Sequence, residues 1–162
     1  MNQSHDQFDH APISVNQGSI ITLLLLSFVL DTPWLVTLVA AVMLLGAVVA
    51  RPGFGFLYHL LLKPLGLVKA DVFADHAEPH RFAQAVGGLF AAVSAALLWL
   101  GIAMPGWIFA WVVIALATVN LLLGFCAGCA MYYWLNRLKI PGFRHSPPEG
   151  ALPGLRPRGK AG

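Results

Sequence analysis

Charge is what this sequence has least of. Of its 162 residues only 10% are Asp, Glu, Lys or Arg, against 58% hydrophobic, whereas soluble chains carry about a quarter charged residues. An ordinary water-soluble globule is excluded, and no nucleic-acid partner is expected. The length leaves room for one domain with several membrane crossings, not for a second folded module. The opening stretch MNQSHDQFDHAPISV has no Lys or Arg. The basic start of a cleavable secretory leader is therefore missing, and the first apolar run is expected to stay. No Asp, Glu, Lys, Arg or His falls deep within an apolar run, which disfavours the ionisable relays of pumps and ion carriers. Cysteine is nearly absent as well: there are two, Cys126 and Cys129.

What is present is a set of four apolar runs. A spanning helix takes roughly 20 apolar residues, with about 17 tolerated. The runs place spans over about 13–30, 33–50, 80–104 and 107–128. Asp31-Thr32-Pro33 reads as a tight break between the first two, and Pro105-Gly106 as the break between the last two. The expected fold is all-α: an integral membrane four-helix bundle made of two transmembrane helical hairpins over residues 13–140. The Leu-rich stretch from Gly53 to Gly66 is too short to cross, and reads as an interfacial half-helix between the hairpins. Residues 1–12 and the Pro/Gly-rich basic tail 141–162 are expected to be disordered and cytoplasmic.

The placement of the few charges tests the count. With four spans, Arg51, Lys63, Lys69 and Arg81 in the long loop share one side with Arg137, Lys139 and the basic tail, and neither short turn carries a Lys or Arg. The positive-inside rule then puts both termini in the cytoplasm of a cell whose inner membrane holds the protein. A three-span chain would strand Asp31 and Pro33 in lipid. Lipid supplies no hydrophobic drive for helix association, so small residues that let backbones approach carry the packing. Gly87-Ala91-Ala95 and Gly88-Ala92-Ala96 offer two such rows, and Gly124 and Gly128 follow Asn120 on one face of the fourth run. Asn120 reads as an interhelical hydrogen-bond partner.

The thiols sit in Gly124-Phe125-Cys126-Ala127-Gly128-Cys129, where the fourth run ends. In a reducing compartment a permanent structural disulfide is the poorer reading of C-x-x-C. Thiol–disulfide exchange, persulfide relay and metal ligation all remain open. A helix that continues through the motif would present both sulfurs near its C-terminus, where the dipole disfavours thiolate. Two glycines that break it would let a new helix start near Cys126, which favours thiolate. The sequence leaves both arrangements open.

On the same side, Asp75-His76-Ala77-Glu78-Pro79-His80-Arg81 precedes the third run. Its simplest role is to start a helix, with Glu78 ahead of Pro79. Its added role would be to face the thiols, His80 or Arg81 stabilising thiolate and Glu78 orienting Arg81. No cofactor is expected; the alternative is zinc held by Cys126, Cys129, His76 and His80, although Pro79 interrupts the histidine spacing.

The segments Val15-Asn16-Gln17-Gly18, Glu78 to Gly88 (EPHRFAQAVGG) and GFCAGC followed by Met131-Tyr132 together resemble the DUF4395 family of bacterial membrane domains of unknown function. The resemblance runs from about Val15 to Phe143. It implies a multi-pass inner-membrane protein of unestablished activity, and the family's association with thioredoxin-like or rhodanese-like modules implies such a soluble partner. The leading expectation is a Cys126/Cys129 dithiol that exchanges electrons or sulfane sulfur with that partner at the cytoplasmic surface. The rivals are a structural or assembly protein without chemistry and a zinc-binding membrane module.

Overall fold

A break in the chain at Asp31-Thr32-Pro33 follows from local chemistry. Asp31 takes a left-handed conformation (φ 47°). The hydroxyl of Ser27 donates to the Thr32 carbonyl at 2.6 Å, and the Thr32 amide donates to the Ser27 carbonyl at 2.9 Å. Pro33 then starts the next helix, where its missing N–H leaves no partner wanting. In the computed structural model, which describes residues 7–9, 11–50, 53–55, 60, 72–74, 77–143 and 152–155, this turn joins α1 (Ala11–Val29) to α2 (Pro33–Val49).

The second hairpin joins α3 (Ala77–Trp99) to α4 (Ala103–Leu123). Its turn lies at Leu100–Ile102 and not at Pro105-Gly106, a correction to the sequence-based boundary. Gly101 adopts φ 76°, and the Gly101 and Ile102 amides donate back to Leu98 and Leu97. This is the glycine-terminated helix end that a side chain would strain. Pro105 falls in the first turn of α4, which tolerates proline. Gly106 serves close packing: a Cβ there would lie 2.8 Å from the Leu98 side chain, and its carbonyl accepts from buried Ser94 at 2.7 Å. A fifth helix, α5 (Ala127–Arg137), follows α4 after a three-residue break.

Helix α1 packs on α2 and α4, and α3 packs on α2 and α4. The shared core is Ile20 and Leu24 of α1, Val36, Val39 and Met43 of α2, Ala95 of α3, and Val113, Ile114 and Ala117 of α4. Of the two small-residue rows on α3, Gly87-Ala91-Ala95 faces inward with Ala91 wholly buried, while Ala96 of the other row is exposed. Gly87 and Gly88 sit against Met43 and Leu44 so closely that an added Cβ would meet their side chains at 2.8 and 3.0 Å. Gln84 strengthens the same seam by donating to the Met43 carbonyl at 3.1 Å.

The outer surface is apolar. Leu26, Leu45, Val48, Leu89, Ile108 and Leu122 are all exposed, a contiguous greasy exterior that calls for lipid or a partner. Three helices, α1, the Glu78–Trp99 portion of α3, and α4, are long and apolar enough to cross a membrane; α2 is a shorter apolar helix of 17 residues. Aromatic rings gather at the turn end, where Trp34 stacks edge-on against Trp99 at 4.7 Å and the Trp99 indole donates to Thr37.

At the opposite end, β1 (Gln7–Asp9) pairs antiparallel with β2 (Val72–Ala74) in the register Phe8 to Phe73. Part of the segment read as disordered is therefore ordered by pairing. Gly53 and Phe54 fold back onto the bundle, with Phe54 buried in the core and its amide donating to the Asn16 side chain at 2.8 Å. Apart from 53–55 and 60, the expected half-helix lies outside the described residues. So do residues 1–6 and 10 and most of the tail.

Candidate functional site

Gly124 ends α4 in the left-handed region (φ 65°), its amide donating to the Asn120 carbonyl at 3.1 Å. Glycine is the residue that takes this conformation without a Cβ penalty. Phe125 runs extended and bridges Leu155. Cys126 then caps α5 with extended backbone (φ −96°, ψ 101°), and its sulfur accepts the Cys129 amide at 3.1 Å. A cysteine here does what serine or aspartate does at other helix starts. The broken-helix arrangement is therefore the one adopted. Both sulfurs stand at the positive end of a helix, where negative charge on sulfur is favoured.

Cys126 and Cys129 are joined as a disulfide, and both are buried. Helix α5 presents Cys129, Tyr132 and Tyr133 to the bundle, at helical spacing, against Phe82, Ala83 and Phe143. Gly128 makes that approach feasible: a Cβ there would stand 2.5 Å from the Cβ of Ala83 and 2.6 Å from its Cα. The close contact brings the start of α5 down on the first turns of α3. There His80 Nδ1 lies 3.5 Å from Cys129 Sγ. One turn along α5, the Tyr132 hydroxyl donates to Glu78 Oε2 at 2.9 Å.

The structure thus brings His80 and both cysteines together: their ligand atoms all fall within 4.8 Å of one another. Glu78 joins them through Tyr132, a residue that the sequence does not single out for the site. The (i, i+3) spacing of Cys129 and Tyr132 was the available signal. Arg81 goes elsewhere. Its Nε and Nη2 donate to the Ala47 and Val48 carbonyls in the last turn of α2, and no ion pair joins it to Glu78 among the described residues. A guanidinium there complements the negative end of α2. His76 lies outside the described residues.

A strap closes the site. The Cys126 amide donates to the Gly154 carbonyl at 2.7 Å, within the short turn Leu152–Leu155. Gly154 is itself buried. This part of the tail, read from sequence as disordered, docks on the cysteine motif because extended Phe125 and the Cys126 amide leave a backbone edge that Gly154 and Leu155 pair.

On the bundle side, Cys126, Ala127, Gly128 and His80 line a cavity of about 110 Å³ that also touches Asn16, Gln17 and Asn120. Asn120 is buried, yet its side chain has no hydrogen-bond partner among the described residues. The interhelical bond expected of it is absent there.

The family model described as Domain of unknown function (DUF4395) matches residues 8–137. The chain belongs to this family. The match takes in the His80 segment, the disulfide and all of α5, and stops short of the strap at Leu152–Leu155. No curated protein and no solved structure matches the chain.

Proposed function

We propose that the Cys126–Cys129 disulfide is a working thiol–disulfide couple that exchanges electrons, or sulfane sulfur, with a soluble thioredoxin-like or rhodanese-like protein at the cytoplasmic face of an inner membrane. In this reading α2 is a fourth span and α1–α4 cross the bilayer as two hairpins. The charge distribution supports the orientation: Arg137 and Lys139 lie at the α5 end, and Arg51, Lys63 and Lys69 fall in the loop that joins the hairpins.

The observation that carries the reading is the pairing of a helix-start disulfide with an imidazole at 3.5 Å. A partner thiolate attacks Cys126 Sγ; the S–S bond breaks and Cys129 leaves as thiolate, taking a proton through His80. The partner's second thiolate then attacks the mixed disulfide and expels Cys126 as thiolate, which the Cys129 amide and the helix start stabilise. Two electrons enter the pair, and the partner leaves oxidised. Glu78 and Tyr132 position α5 over α3. The test is a kinetic trap. Purified protein with its Cys126–Cys129 disulfide intact, mixed with a reduced thioredoxin that lacks its resolving cysteine, should hold that thioredoxin as a mixed disulfide on Cys126. Absence of any such adduct would contradict exchange. His80→Ala should slow wild-type exchange by about 100-fold, the contribution typical of a positioned proton donor.

A second reading rests on a separate observation, the mutual proximity of the His80, Cys126 and Cys129 ligand atoms. On reduction these three would supply two thiolates and one imidazole to zinc, leaving a fourth position for water or His76. Metal analysis of the reduced protein, compared with His80→Ala, tests it: about one zinc per chain lost in the variant supports the site, and none in either opposes it.

A further inference from the structure

The cavity beneath the disulfide has a composition that a purely soluble exchange reaction does not use. Its lining extends along α3 from His80 to Phe90, roughly 15 Å at the helical rise. It has apolar walls, including Val113 and Phe90, and Cys126 at one end. Its volume of about 110 Å³ is of the order of the ~150 Å³ apolar cavity known to hold one benzene ring. Four side-chain amides, Asn16, Gln17, Gln84 and Asn120, interrupt the apolar lining beside His80 and Arg81, and two of the four are buried. Asn120 is 7% exposed and Asn16 4%. Asn120 has no side-chain partner among the described residues. The Asn16 oxygen is taken by the Phe54 amide, so its NH₂ group is the one left without a partner there.

Buried N–H donors without acceptors cost about 1–3 kcal/mol each. An acyl chain in the cavity would leave that cost in place. A ring that carries carbonyl oxygens would remove it and would also match the apolar walls. Leu116 lines the cavity and is 45% exposed on the apolar exterior, so the cavity borders the surface that lipid would cover.

We propose that this cavity takes the ring of a lipid-soluble quinone, and that the quinone is the two-electron acceptor for the reduced Cys126/Cys129 pair. Asn120, with Asn16, donates to the ring carbonyls. The proposal rests on the reading that the pair cycles between thiol and disulfide. In the step, two S–H bonds break and the Cys126–Cys129 bond forms. Two electrons and two protons pass to the quinone, whose two carbonyls become hydroxyls. The disulfide then faces its soluble reductant from the strap side and its membrane oxidant from the cavity side.

The experiment uses the full chain in liposomes, reduced with dithiothreitol and freed of it, then mixed with a short-chain ubiquinone. Quinone loss is followed by absorbance and thiols by maleimide counting. One quinol per two thiols lost is expected. Asn120→Leu should raise the KM for the quinone at least fivefold while leaving reduction of its disulfide by dithiothreitol unchanged. A second variant, Val113→Phe, fills the cavity away from the sulfurs and should do the same. Thiol oxidation no faster than without quinone, or a wild-type KM in both variants, overturns the proposal. Exchange with thioredoxin without quinol formation overturns this inference alone. Quinol formation without thioredoxin exchange overturns the soluble-partner reading alone.

Discussion

Gly128 and Ala83 meet where two helix backbones come within reach of one another, and the site depends on that approach. A methyl group at Gly128 would lie 2.6 Å from the Ala83 Cα, which is backbone and cannot rotate away. Gly128→Ala should therefore destabilise the protein by about 1–3 kcal/mol, the usual cost of overpacking. Gly18→Ala is the control, because an added Cβ there meets nothing within 4 Å. That change should be neutral or stabilising by up to about 1 kcal/mol, from helix propensity. Thermal unfolding in detergent, read by far-ultraviolet circular dichroism, separates the two. Tyr132→Phe removes the hydroxyl that donates to Glu78. Glu78 is exposed, so water replaces the bond, and the loss should sit near the low end of hydrogen-bond values, about 0.5–1.5 kcal/mol. The same unfolding measurement checks it.

At the scale of elements, the strap Leu152–Leu155 lies against the start of α5, pairing with Phe125 and the Cys126 amide. Gly154 holds φ 87°, and a Cβ on it would lie 2.8 Å from both the Ala130 Cβ and the Cys126 carbonyl. Gly154→Val should release the strap and raise the rate at which maleimide labels Cys126 in the reduced protein by about tenfold or more, on the order of the ~1–2 kcal/mol lost with a strained close contact. Time-resolved mass spectrometry of the adduct reads this; an unchanged rate would mean that the strap does not limit access. The strap was not legible in the sequence, since Leu-Pro-Gly-Leu has neither helical nor strand periodicity and its docking depends on a distant backbone edge. Helices α1 and α2 were legible because an unbroken apolar run with a Pro-marked start admits few alternatives. The α3–α4 boundary was misread because Pro105 looks like a break, while proline is equally at home in the first turn of a helix. The disulfide's setting was half legible. Gly124 and Gly128 permit a straight helix or a broken one, and tertiary contact with Ala83 and Leu155 decides between them. The partnership of His80 with Cys129 was readable as a possibility of shared side, while the diversion of Arg81 to α2 was not, because the open carbonyls of α2 are a property of its end and not of its sequence.

At the scale of the whole molecule, an apolar exterior and three helices long and apolar enough to span are compatible with a lipid bilayer, and the proposed orientation puts the α5 end in the cytoplasm. A phosphatase active only outside the cytoplasm, fused after Lys139, should stay inactive, and a fluorescent protein fused there should light up; the opposite pair of results would reverse the proposed orientation. The central claim is that the buried disulfide can be opened by a protein dithiol. The most direct measurement is the intact mass of the wild-type chain in liposomes after brief treatment with reduced thioredoxin and then maleimide. The account expects two maleimide adducts per chain, and none when thioredoxin is omitted. A chain that gains no adduct with thioredoxin, yet gains two after unfolding and chemical reduction, would contradict it.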